Sequence, residues 1–282
     1  QQCRDSFGWG FVCNEQQLCA EVQPQPRCET YPTDLIQRHI DLQDSIIIGV
    51  QFDKSAFRAE MQAAELALLQ VMANDGLDGT QYGLVQCTNE ENAAYDAMTQ
   101  DEANLAISRY LADEIGVVGM IGPATSSRVN SAYVEVEPFG TLLITPSATS
   151  PALTDLDGVD STYDSPGLLW RTVPPDDLQG EVLAKHLMSL GHTRVAAVYE
   201  NGEYGGALIR VFMEVFEGLG GATVPLPYTP NNSAEFDSAI RDVGAQDAVL
   251  FVSSTKDDTV EFLEEVVRDT FGDTPIFLAD GG

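Results

Sequence analysis

The feature that most constrains this chain is a regular exchange of short, wholly apolar β-branched runs for longer segments whose apolar residues recur at helical spacing. The run SIIIGV at 45–50 leads to a segment from Ser55 to Asn74 that puts Phe57, Met61, Ala64, Leu68, Val71 and Met72 on one helical stripe. The beat returns in YGLVQC with a helix over about 99–115, in VVGMIG with a helix from Ser126 to Val136, and in TLLIT at 141–145. It resumes with GLLWRTV at 167–173, the helix DDLQGEVLAKHLMSLG stopped at Gly191, RVAAVY, and a helix from Tyr204 to Leu219. TVPLPY, a helix near 234–243, AVLFVS, the helix DDTVEFLEEVVRDTFG and PIFLA complete it. Strands that are apolar throughout and alternate with helices form parallel sheets covered on both faces, which predicts an α/β fold.

The rhythm breaks once, over Thr145 to Gly167, where Pro, Ser, Asp and Gly dominate. A chain of 282 residues then divides into a Cys-rich segment at 1–32, a first α/β lobe at 33–172 and a second at 173–282. No apolar run approaches the ~18 residues of a membrane helix. The chain opens at Gln1 without a basic and apolar leader, as expected of a mature or trimmed chain or of a protein made without one.

Cys3, Cys13, Cys19 and Cys28 crowd into a stretch with too little apolar periodicity to bury a core alone. That density predicts a small disulfide-stapled segment in an oxidising compartment, with the pairing left open by the spacing. Zinc is the rival, and it is disfavoured because the spacing contains no C-x-x-C pair and the nearest histidine is His39. Cys87 ends an apolar run with no nearby histidine, so it is expected to be a buried free thiol.

Composition excludes some partners. The formal charge is -30, from 44 acidic and 14 basic residues, and the basic ones are scattered singly. Nucleic acid and anionic membrane surfaces require clustered Lys and Arg and are not expected partners. The acidity is assigned to the outer helical faces and to a salty medium outside the cytoplasm, with solubility alone as the competing reason.

Ligands of open parallel sheets bind beyond the carboxyl ends of the strands, so the loops after each strand carry the function. They are QFDKSAF, PATSS, PSATSPAL, ENGEYGG, SSTKDD and ADGG. None holds G-x-G-x-x-G, a P-loop or a nucleophile elbow. His39, His186 and His192 lie outside them and are expected to be structural or surface residues, so no catalytic residue is assigned. The acidic run with Asp155, Asp157, Asp160 and Asp164 departs from a calcium loop at Val159 and Asp160; no metal or cofactor is expected. What the loops offer is hydroxyls and backbone amides. Thr125, Ser126 and Ser127 stand where a helix begins, a place that favours a small anion such as a carboxylate, and Ser147 and Thr149 lie on a Pro-bracketed turn. Such a set suits a zwitterion; the competing role for each residue is to cap a helix.

The runs IGPATSSRVNSAYVEVEPFGTLLITPSATSPALT and LLWRTVPPDDLQGEVLAKHLMSLGHTRVAAVYENGEYGGAL resemble the type I periplasmic solute-binding proteins of the leucine/isoleucine/valine type, the substrate-binding proteins of ABC transporters. The resemblance spans about 45–282. It implies two doubly wound lobes joined by a hinge and closing on a ligand, without catalysis. It also implies a chain that continues beyond Gly282, so a partial fold is expected here. By the same resemblance Ser126 takes a ligand carboxylate, Thr149 touches carboxylate and ammonium, Ser147 with the adjoining Ala148 contributes main-chain groups, Ser127 and Thr125 flank them, and Tyr204 closes over the ligand. Asp280 is the nearest acid to the family's ammonium partner, one position from Gly281 in register. Phe52 in the unusual first loop and Ser254, where an aromatic cover is the rule, are further candidates. Lys54 or Arg58 at the mouth would suit a second acidic group on the ligand.

The expectation is therefore a monomeric, extracytoplasmic or periplasmic binder of a small amino-acid-like zwitterion or amide, held to the membrane by a lipid on a removed N-terminal segment or free, working with an ABC transporter permease. The alternatives are a sensor or receptor ectodomain of the same fold and a hydrolase or metal-dependent enzyme. The Cys-rich segment is expected to act as a stalk or interaction module, or else as a cap on the first lobe.

Overall fold

The computed structural model describes residues 2–14, 16–158, 162 and 164–280. The chain forms two compact units. Unit 1 comprises Gln1–Ala124, Arg128–Ala148 and Leu156–Thr172; unit 2 comprises Thr125–Ser127, Thr149–Asp155 and Val173–Gly282. The fold is α/β, as the alternating pattern predicts.

Unit 1 opens with helix α1 (Gln2–Phe7), the hairpin strands β1 (Phe11–Cys13) and β2 (Cys19–Glu21), and β3 (Cys28–Tyr31). The α/β alternation follows: β4 (Ile46–Phe52), α2 (Arg58–Met72), β5 (Tyr82–Thr88), α3 (Gln100–Arg109), β6 (Gly119–Ile121), α4 (Ser126–Val136), β7 (Leu142–Thr145) and β8 (Leu169–Arg171). Helix α3 starts at a capping box in which Thr99 and Glu102 satisfy each other's backbone amides. It runs into a π-helical turn over Tyr110–Ile115 that Gly116 ends in a left-handed conformation. The six strands lie in the order β3-β5-β4-β6-β7-β8. All pairs are parallel except β3 with β5. Val50 and Phe52 of β4 and Leu84 of β5 pack beneath Met61 and Leu68 of α2.

The N-terminal segment is built into this unit. Strand β3 supplies an edge of the sheet. The Trp9 indole donates to the Leu42 carbonyl, and Tyr110 donates to the carbonyl of Gln23. Arg4 reaches the carbonyl of Asp113, while burial lowers its pKa.

Two cysteine expectations are corrected. Cys87 is not a free thiol: it is bonded to Cys28, its direct partner across the antiparallel β3/β5 pair. Opposed residues of such a pair place their Cβ atoms within disulfide reach. Cys13, expected to be paired, is free and exposed, because Cys3 is bonded to Cys19.

Unit 2 contains α5 (Asp176–Ser189), β9 (Arg194–Glu200), α6 (Gly205–Gly218), β10 (Ala222–Tyr228), α7 (Ser233–Asp242), β11 (Ala248–Val252), α8 (Lys256–Val267) and β12 (Ile276–Leu278). Its four strands are parallel, ordered β10-β9-β11-β12. Side chains alternate across a strand. Val195 and Ala197 of β9 and Leu250 of β11 therefore pack with Leu208, Phe212 and Phe216 of α6, while Ala196, Val198 and Phe251 face Phe236 of α7 and Phe262 of α8. Each such aromatic or leucine contributes about 1.5–3 kcal/mol by leaving water. Pro225 and Pro227 cannot donate to a ladder, which puts β10 at the edge. Among the described residues no helix is long and apolar enough to cross a membrane.

Candidate functional site

In unit 1, the segments after β6 and β7 are tied together by hydroxyls. Thr145 donates to the Pro123 carbonyl (2.9 Å) and Ser147 to the Ala124 carbonyl (2.9 Å), while the Ala148 amide donates to Thr145 Oγ1 (3.2 Å). Ser147 is exposed and Ala148 is buried. Gly122 makes this turn possible: its φ is +89°, and a Cβ there would lie 2.2 Å from the Gln51 carbonyl oxygen. Phe52, a further candidate, is 1% exposed and packs in the core against Phe57. Lys54 is also committed, pairing with Glu29 of the N-terminal segment at 2.6 Å, an ion pair that raises its pKa.

Unit 2 gathers the start of α4, the turn at Thr149 and the start of α5. Ser126, 3% exposed, accepts the Ser150 amide on Oγ (3.2 Å), so its own proton is left to donate, the polarity a carboxylate requires. Ser127 beside it is exposed, and Thr125 Oγ1 is buried without a hydrogen-bond partner. Thr149 donates to Asp176 Oδ2 (2.8 Å), and Asp176 returns its amide to the Thr149 carbonyl (2.9 Å). A hydroxyl whose proton is held by a carboxylate acts as an acceptor, the role an ammonium group requires.

After β9 and β12, Tyr204 donates to Asp280 Oδ1 (2.9 Å). Tyr204 is 7% exposed at the start of α6, and Asp280 is exposed. Gly281, its neighbour in register, lies outside the described residues.

Ser254 has a partner that sequence reasoning missed. Its amide and hydroxyl both donate to the Glu200 carboxylate, at 2.6 Å and 2.8–2.9 Å. Glu200 closes β9 at 5% exposure, and burial raises its pKa against the lowering effect of those bonds. Asp258, in the first turn of α8, is buried nearby and accepts the Asn231 amide. The signal available in the sequence was the acid ending RVAAVYE, one residue past a buried run. In the acidic run after Pro151, Asp157 accepts the Leu168 amide (3.2 Å), and Val159 and Asp160 lie outside the described residues.

The model of the receptor family ligand-binding region matches residues 59–274. The chain belongs to this family. Leu/Ile/Val-binding protein of Escherichia coli is 28% identical over 156 residues, covering 55% of this chain and 38% of that protein. Human metabotropic glutamate receptor 8 is 25% identical over 242 residues, covering 83% of this chain and 23% of the receptor. An ABC transporter substrate-binding protein from Desulfitobacterium hafniense, solved in complex with Leu, superposes with a TM-score of 0.61 at 23% identity, covering 84% of this chain and 67% of that structure. The chain thus spans less than half the length of the curated relatives it matches. The family and the fold, that of type I periplasmic binding proteins, are those of binding proteins.

Proposed function

We propose that this chain is the ligand-capturing part of an extracytoplasmic solute-binding protein that takes a small amino-acid-like zwitterion and passes it to an ABC transporter permease. Ser126 donates to the ligand carboxylate at the head of α4, where the helix dipole favours an anion. Thr149 and Asp280 accept from its ammonium, and Tyr204 orients Asp280. The observation that carries this reading is the polarity of the hydroxyls: Ser126 has a proton to give, and Thr149 has spent its proton on Asp176. Ser127 and Thr125 add amide and hydroxyl contacts beside Ser126, and Ser147 and Ala148 offer the same groups after β7. Capture and release make and break no covalent bond, so no catalytic residue is assigned. The disulfides support an oxidising compartment, and the protein acts as a monomer.

The similarity to the glutamate receptor over 83% of this chain favours a second reading, a receptor ectodomain that uses the same residues for ligand. A melting-temperature screen against amino acids, amides and dicarboxylates tests both, since a ligand bound to the native state raises the midpoint by mass action. Thr149→Ala is expected to fold and to lose about tenfold or more in affinity by calorimetry, the worth of a hydrogen bond to a charged group. Unchanged affinity would move the site elsewhere.

A further inference from the structure

We propose that Cys3, Cys13 and Cys19 form a thiol–disulfide exchange site, so that Cys3 is bridged alternately to Cys19 and to Cys13 and an exposed thiol stands on one hairpin strand or the other. In the structure Cys3 is bonded to Cys19, and the free Cys13 Sγ lies 2.9 Å from Cys3 Sγ. All three sulfurs fall within 4.8 Å of one another. Cys13 and Cys19 are direct partners across the antiparallel β1/β2 pair, so their side chains leave the hairpin on the same face and reach Cys3 of α1 from adjacent positions. Both are exposed, while Cys3 is buried, which makes Cys3 the shared sulfur and the other two its interchangeable partners.

The step is balanced without an oxidant. The Cys13 thiolate attacks Cys3 Sγ, the Cys3–Cys13 bond forms as the Cys3–Cys19 bond breaks, and the electron pair leaves on Cys19 Sγ, which takes up the proton that Cys13 gave up. The thiol released on either strand is open to soft electrophiles and to small-molecule disulfides of the glutathione class. Cys28 and Cys87 stay outside the exchange, because Cys87 is wholly buried in β5.

The test is acid quenching of the unreduced chain, alkylation with a maleimide, and peptide mapping of label and bridges. The expected result is label on both Cys13 and Cys19, none on Cys3, Cys28 or Cys87, and both the Cys3–Cys19 and the Cys3–Cys13 bridges. Cys13→Ser is expected to abolish labelling and leave the Cys3–Cys19 bridge; Cys19→Ser is expected to abolish labelling and leave Cys3–Cys13. Label confined to Cys13 in the wild type, or label on both Cys3 and Cys13 in Cys19→Ser, overturns the proposal.

Discussion

The buried polar network beneath the end of β4 in unit 1 is neutral, whereas the strand ends of unit 2 carry buried and exposed carboxylates. In unit 1, Gln51 of β4 donates to the Asn104 carbonyl and side chain (2.9 and 2.8 Å), Ser108 donates to Gln51, and Asn89 donates to Asn104. This buried network of amides and a hydroxyl is built without charge, and only Asn89 Oδ1 within it is buried without a partner. Unit 2 instead places Glu200 at the end of β9, Asp258 at the head of α8 and Asp280 after β12. The acidity of the chain is therefore not confined to outer helical faces, as its composition suggests; part of it sits where a parallel sheet presents ligand-binding loops. The units also differ in how an edge is closed. Unit 1 adds the antiparallel strand β3 and a disulfide, and unit 2 ends on a strand with two prolines.

The largest expected effect tests the edge. Replacing Cys28 and Cys87 together by serine removes a bridge spanning 59 residues and is expected to cost ~2–5 kcal/mol. Hydrogen exchange checks it: β3 and β5 lose protection, and β9 and β11 keep theirs. Uniform loosening would mean that the bridge is not a unit 1 device. Next is Gly205→Ala, where a Cβ would meet the Glu200 carbonyl oxygen at 2.4 Å and its Cγ at 2.6 Å. Backbone cannot yield as a flexible side chain does, and a loss of about 1–3 kcal/mol is expected, read in denaturant melts and localised by exchange to the start of α6.

The smallest effect separates the units by pH. In unit 1, the Arg27 guanidinium holds Asp96 below the usual carboxylate range by a direct hydrogen bond. That contribution is complete above the ordinary aspartate pKa and is lost as pH falls through the lowered value. In unit 2, burial holds Glu200 above the usual glutamate value, so its contribution is complete below that value and is lost as pH rises through the raised one. On raising pH from the acid side, Asp96→Asn should fall behind the wild type and Glu200→Gln should gain on it, in melting midpoints taken across the range. Parallel slopes for the two variants would erase the distinction.

How much of this the sequence disclosed follows from periodicity. The strands from β4 to β12 and the helices between them carry clear apolar repeats, and Ser126 to Val136 is the helix found. The elements α1 to β3 carry none: they are three to six residues long and are held by cross-linking and by packing on unit 1. Cys28 finds Cys87 through strand register, a long-range property that cysteine spacing does not encode. Ser126, Thr149, Tyr204 and Asp280 are candidates named by motif alone; their hydrogen-bond partners, among them Asp176 on Thr149, are tertiary and carry no mark in the sequence. The burial of Phe52 is not legible, because a loop-edge aromatic and a core aromatic look alike in sequence. Glu200 was overlooked because an acid after an apolar run ordinarily marks where a strand meets water.

The central claim is that Ser126, Thr149 and Asp280 hold a zwitterion. Melting midpoints of the wild type and of Thr149→Ala, titrated in parallel with a panel of free amino acids and with the same compounds blocked at the amine, test it most directly. The account predicts that at least one free amino acid raises the wild-type midpoint with concentration, that Thr149→Ala needs about tenfold more of it, and that blocking the amine removes the shift. Equal stabilisation of both proteins, or stabilisation by the blocked compounds alone, would contradict it.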